Sequence, residues 1–175
     1  MPHTSPKHVN PLVSGESDPG VSAPAASNLA SIAKYRDKAA NYDNTTARTQ
    51  AIRERTVARL ELKPGATVLD AGCGTGKSFE LLLDQVGPDG HVVGVDQSPE
   101  MIAIARQLVA SKGWSNVTVV EGFMETVSLP AAFDAILFHY AHDILQTPVA
   151  LDNLFSHVKP GAPVAVAGVK FFPWW

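Results

Sequence analysis

The sequence predicts an α/β domain of the doubly wound kind, a five-stranded parallel sheet in the order 3-2-1-4-5 with helices on both faces. Three observations predict it. Short apolar runs recur at 66–70, 91–96, 116–121, 133–138 and 163–169. Between them lie longer stretches whose apolar residues fall at helical spacing, so strand and helix alternate along the chain. The first run also passes into its helix through Gly72-Cys73-Gly74-Thr75-Gly76, a bend in which three residues lack a Cβ.

The 175 residues suffice for one domain with a sizeable core, and a net charge of −3 offers no basic field for nucleic acid or a membrane surface. Cys73 is the only cysteine, which excludes an intrachain disulfide and a cysteine-cluster metal site; no metal is expected. No apolar run of about 18 residues exists to span a bilayer, and no signal-peptide pattern opens the chain, so a cytoplasmic protein is expected. Residues 1–27 are rich in Pro, Ser, Gly and Ala and almost without aliphatic periodicity. Such a segment buries too little to offset its ordering entropy and is read as a disordered leader, with the domain over 28–175.

Within the domain, Leu29, Ile32, Ala33 and Arg36 suggest a first helix, with Tyr35 and Tyr42 on one face if it continues. Residues 51–60 predict an amphipathic helix with Ile52, Val57 and Leu60 inward and the arginines outward. Lys63-Pro64-Gly65 turns the chain into the first strand, and Phe79, Leu82, Leu83 and Val86 mark the helix after the glycine bend. A turn at 87–90 leads to the second strand. Ser98 then suits an N-cap, Pro99 the first helical position, and Glu100 the positive end of the dipole. Met101, Ile104, Ala105, Leu108 and Val109 form the inward stripe of that helix, and Gly113 stops it. The fourth strand starts at Asp134. A helix over 148–158 turns Leu151, Leu154 and Phe155 inward and ends at Lys159-Pro160-Gly161, before the fifth strand.

Asp70 ends the first strand, where its carboxylate can point into the crevice at the sheet's carboxyl edge. Asp96, 20 residues after Gly76, ends the neighbouring strand. A carboxylate there can accept from both hydroxyls of a ribose, which S-adenosylmethionine (SAM) and NAD share. The glycine spacing separates the two. A dinucleotide loop reads Gly-x-Gly-x-x-Gly, and its third glycine falls on Lys77 here. An acid just before the first glycine would also repel a pyrophosphate, whereas SAM has no phosphate and offers an ammonium group.

Residues 68–76 as a whole resemble motif I of the class I SAM-dependent methyltransferases, a Rossmann-like family, and the small-molecule type 11/25-like members in particular. The resemblance covers roughly residues 35–170. It implies SAM as cofactor and S-adenosylhomocysteine as product. It places Asp70 and Gly72 near the methionine end, with Gly74 and Gly76 shaping the cofactor loop and Cys73 within it, Asp96 and its neighbour Gln97 at the ribose, and Met101, Phe123 and Met124 along the adenine. Met101 reads equally as plain core. The Tyr42-Asp43 pair resembles a Tyr-Asp found upstream of the core in many small-molecule members, where Tyr42 would close over the methionine end; a tyrosine packed between helices is the alternative. After the third strand, family members commonly continue Gly-Asp-Ala, but this chain has Gly122-Phe123-Met124-Glu125. The usual adenine acceptor is therefore missing, and ring stacking by Phe123, the Met124 N–H or Glu125 must replace it.

At the fourth strand's tip, His139-Tyr140-Ala141-His142-Asp143 surrounds the place of the methyl group. His139 or His142 is a candidate base, with Asp143 as a partner or a helix N-terminal acid. The alternative leaves one histidine on the cofactor backbone and the other capping the next helix. Family members that methylate exocyclic amines of DNA bases carry an [Asp/Asn/Ser]-Pro-Pro-aromatic motif here; its absence argues against nucleic acid as the acceptor. The family's last two strands, an antiparallel hairpin beyond the fifth, are absent from the chain. The fifth strand would then be an exposed apolar edge beside Trp174 and Trp175. Either the chain is a fragment of a longer protein, or a partner, a second copy included, covers that edge. The expected function is transfer of a methyl group from SAM to a small-molecule acceptor by in-line substitution. A catalytically inactive SAM-binding module acting through a partner, and an NAD-dependent oxidoreductase, are the alternatives.

Overall fold

Each apolar run pairs with its neighbours as a parallel strand. The computed structural model describes residues 46–130 and 132–168. Along them run α1 (Thr46–Ala58), β1 (Thr67–Ala71), α2 (Phe79–Val86), β2 (His91–Asp96), α3 (Pro99–Lys112), β3 (Val117–Glu121), β4 (Ala135–His139), α4 (His142–Leu145), α5 (Pro148–Ser156) and β5 (Val164–Ala167). The sheet order is β3-β2-β1-β4-β5, and every pairing is parallel, as expected. The leader at 1–27, Tyr35, Tyr42, Trp174 and Trp175 lie outside the described residues. Among those described, no helix is long and apolar enough to cross a membrane.

Alternate strand residues feed two cores. On one face Val68, Val92 and Leu137 meet Val57 of α1 and Leu60 just after it, Phe79 and Leu82 of α2, and Ile102 and Ala105 of α3. On the other, Leu69, Val93, Ile136 and Phe138 meet Ala150 and Leu154 of α5. Central strands buried on both faces have no polar side to show, which is why β4 reads as an unbroken apolar run.

Three helix faces differ from their sequence reading. In α1 Arg53, Thr56 and Val57 are buried, as is Leu60 in the turn that follows, with Arg53 only 5% exposed and Ile52 half-buried. Spacings of four and three put Arg53, Val57 and Leu60 on one face, so one arginine points inward. In α3 Ile102 is fully buried and Ile104 only partly, although Ser98 does cap it, its Oγ accepting from the Met101 N–H at 3.4 Å. In α5 Phe155 is exposed, its ring edge-on to Phe138 with centroids 6.4 Å apart.

Close approach fixes α2 to the sheet. The Phe79 ring lies between two bare backbones: a Cβ on Gly76 would come within 2.6 Å of it, and one on Gly94 within 2.5 Å. At the opposite edge, Asp134 Oδ2 accepts from the Thr67 N–H at 2.9 Å while Lys159 Nζ donates to Oδ1. The lysine, first, and then the Thr67 amide hold this carboxyl below its ordinary range. The starts of β1 and β4 and the approach to β5 are thus tied together, and the carboxyl ends of the strands are left for other work.

Candidate functional site

From β1 the chain crosses to β2 on one side, while β4 lies on the other, so a crevice opens at the carboxyl ends where the winding reverses. A cleft occupies that position. Its wall includes Gly72 and Gly74 of the bend, Asp96, Gln97 and Ser98 at the tip of β2, Met101 and Met124, and His139, Tyr140, Ala141, Asp143 and Ile144 beyond β4.

The glycine bend is stitched to β2. The N–H groups of Gly72 and Cys73 both donate to the Val95 carbonyl, at 2.8 and 2.9 Å. The Gly74 N–H donates to Asp96 Oδ2 and the Ser98 N–H to Oδ1, each at 2.9 Å. Burial raises the Asp96 carboxyl above its ordinary value, opposed by those two N–H groups. Each carboxylate oxygen has two lone pairs and gives one to the backbone, so each can still accept from a ligand hydroxyl. At Gly72 (φ 78°) a Cβ would lie 3.0 Å from Ile144 Cδ1, so the segment after β4 closes directly onto bare main chain. A Cβ on Gly74 would meet no atom within 4 Å; there the bare backbone faces open space.

Met101 and Met124 give the cleft an apolar side although they are only 3% and 2% exposed. Asn153 of α5 steadies it, its Nδ2 donating to the carbonyls of Met124 at 2.9 Å and Val127 at 3.0 Å. Beneath the strand tips lie three buried polar groups, Arg53, Asp70 and His139. Among the described residues, neither oxygen of Asp70 and neither ring nitrogen of His139 has a hydrogen-bond partner. Burial pushes the Asp70 carboxyl from 3.8 up to about 7, Arg53 pulling down and Asp96 pushing up. Burial pushes the His139 imidazole from 6.5 down to about 4, with the Arg53 charge acting the same way. His139 is therefore neutral at pH 7.

The arrangement tests which ligand fits. A carboxyl 1% exposed and without a donor, under a bend of bare backbone, suits a cationic amino group and opposes a pyrophosphate. A second carboxylate with spare lone pairs at the neighbouring tip suits a sugar diol. Among the described residues, no group of three or more His, Cys, Asp or Glu side chains is placed to hold a metal ion.

Of the residues singled out in the sequence, Gly72, Gly74, Asp96, Gln97, Met101, Met124, His139 and Asp143 meet in the cleft wall. Asp70 lies beneath it. Cys73 and Gly76 turn into the core instead, and burial, then the charges of Asp70 and Asp96, push the Cys73 thiol well above its ordinary value. Phe123 is half-buried outside the wall, in a turn where its carbonyl accepts the N–H groups of Thr126 and Val127. His142 is exposed, with its ring where a Cβ on Gly168 would sit, against the end of β5. The sequence reading missed Arg53 and Ile144 and gave Ser98 a capping role only; Tyr140 and Ala141, named with the tip of the fourth strand, do stand in the wall. For Arg53 the signal was present in its spacing from Val57 and Leu60.

Fold and site together define a doubly wound α/β domain with a ligand cleft at the carboxyl edge of its sheet. A family model described as a methyltransferase domain matches residues 68–161, and the chain belongs to the class I SAM-dependent methyltransferases, whose cofactor is SAM. It is 37% identical over 112 residues to an arsenite methyltransferase of Halobacterium salinarum, covering 62% of this chain and 28% of that one. It is also 37% identical over 109 residues to a 2-phytyl-1,4-naphtoquinone methyltransferase of Thermosynechococcus vestitus, covering 61% of this chain and 48% of the relative. The crystal structure of a SAM-dependent methyltransferase from Aquifex aeolicus superposes with a TM-score of 0.62 at 32% identity, over 67% of this chain and 64% of that one. The chain spans less than half the length of these two curated relatives.

Proposed function

We propose that residues 28–175, behind a leader at 1–27, form the cofactor-binding part of a cytoplasmic enzyme that methylates a small molecule. The observation that carries this reading is Asp70, a buried carboxyl with no donor beneath a bare-backbone bend. The names of the arsenite and naphtoquinone relatives support a small acceptor. When bound, SAM supplies a methyl carbon on a positively charged sulfur; the acceptor's lone pair forms the new bond in line as the S–CH₃ bond breaks, and that electron pair stays on sulfur. Asp70 attracts the ammonium end across Gly72, and Gly74 admits the ligand against the main chain. Asp96 accepts from the ribose with the lone pairs its backbone donors leave, while Met101 and Met124 flank the adenine. His139, neutral and without a partner, stands where an acceptor's proton must leave, with Asp143 in the same wall. Positioning and exclusion of water supply most of the acceleration.

A catalytically inactive SAM-binding module that acts through a partner is the second reading, favoured by the exposed apolar side chains of β5. Under either reading a partner chain or a second copy covers the edge of β5, where Val164 and Val166 are 46% and 52% exposed. Thermal shift with SAM, S-adenosylhomocysteine and NAD tests the cofactor: the first two are expected to raise the melting temperature, and a rise with NAD alone would end the SAM reading. Methyl-labelled SAM incubated with a metabolite extract then separates enzyme from module. Label in a small molecule supports the enzyme; tight SAM binding without transfer supports the module.

A further inference from the structure

Tyr140 holds a backbone conformation that its side chain disfavours. Its φ is 61°, in the left-handed region where glycine is at ease and a bulky aromatic residue is not. The neighbouring strand maintains it, the Tyr140 N–H donating to the Ala167 carbonyl at 2.7 Å. Tyr140 forms part of the cleft wall, and its ring meets the His139 ring at 4.7 Å between centroids and 66° between planes. Directly after it, Ala141 and Ile144 close onto Gly72. The sheet order puts β4 and β2 on opposite sides of β1, so Tyr140 stands at the end of the cleft away from the sugar-binding side at Asp96 and Ser98. An aromatic ring kept there against its backbone preference calls for something in the cleft that needs a ring.

We propose that Tyr140 recognises the positive charge on the donor's sulfur, its ring face drawing the sulfonium so that the site favours charged SAM over the neutral product. The inference rests on the SAM reading and adds to it a residue that senses whether the methyl group is still present. Aromatic faces attract cations most strongly where water is excluded, and His139 is only 7% exposed beside this ring. The carboxylates of Asp96 and Asp143 in the same wall attract the cation as well, whereas the Arg53 charge beneath opposes it. The aromatic face adds attraction without adding a further negative charge to those of Asp96, Asp143 and the Asp70 carboxyl beneath.

Isothermal titration of the full chain with SAM and with S-adenosylhomocysteine tests this. Tyr140→Phe keeps the ring and is expected to preserve the wild-type ratio of the two affinities. Tyr140→Gly suits the positive φ, so it is expected to melt no lower than wild type. It should bind SAM about 3- to 10-fold more weakly and the product within about twofold of wild type. Tyr140→Asn, whose side chain also tolerates this conformation, is the second ringless variant and is expected to behave alike. Parallel weakening of both ligands in the ringless variants, or no change in either, would overturn the role of Tyr140 and leave the SAM reading standing. A wild-type chain that binds neither ligand would overturn that reading and this inference together.

Discussion

Asp70 and His139 share the space under the cleft and respond to pH in opposite senses. Burial holds Asp70 near 7 instead of 3.8, so folding favours its protonated form. The stability linked to it is fully present below about pH 4 and is lost as pH rises through 7, by roughly 4 kcal/mol at the alkaline limit. His139, held near 4 instead of 6.5, contributes stability above pH 6.5 that is lost as pH falls through 4. Asp70→Asn is therefore expected to match wild type in urea unfolding near pH 4 and to be the more stable at pH 8; an equal difference at both values would contradict the assignment. A ligand ammonium requires the ionised acid. SAM affinity, measured by titration calorimetry at pH 6, 7 and 8, is expected to rise through that range in wild type and to be weaker and flatter in Asp70→Asn. The acids and the glycine bend were legible because their chemistry needs those residue types at fixed spacing. Phe123 and His142 were not, because where a side chain points after a strand depends on the turn that follows and on neighbours distant in sequence.

At the scale of elements, the seat of α2 depends on what is missing from β2 and the bend. Phe79 fills the space that a Cβ on Gly94 or Gly76 would take. Gly94→Ala is expected to cost about 2 kcal/mol, read as a lower urea midpoint with an unchanged slope, because the ring is walled in and cannot step aside. Adding Phe79→Leu should return part of that loss, and strict additivity of the two would refute the clash. Strands and helices were legible here as alternating periods, and the capped start of α3 as Ser98-Pro99-Glu100. The inward arginine of α1 was hidden by chemistry: a charged residue on an apolar stripe reads as outward until its spacing is given more weight than its charge. The short α4 was hidden by its length, since four residues carry too little periodicity to read.

For the whole molecule, alternation pointed to a parallel doubly wound sheet, and right-handed crossovers leave few ways to wind five strands, the expected order 3-2-1-4-5 among them. What lies against the outer strand does not follow from such a rule. Among the described residues β5 pairs on one side only and presents Val164 and Val166, an arrangement that favours pairing with another chain. Sedimentation of the wild-type chain is expected to show mass rising with concentration, and Val166→Lys to suppress that rise while leaving the melting temperature within a few degrees. A monomer at every concentration would remove the second copy as the cover.

The tether from Asp96 to Gly74 has one more consequence. Because the aspartate grips the main chain with the same carboxylate offered to the sugar, the bend is rigid before any guest arrives. Its ordering entropy is met during folding, and little remains to be lost on association. Capture of the adenosine portion should then be limited by diffusion and by release of water, with no slow isomerisation ahead of it.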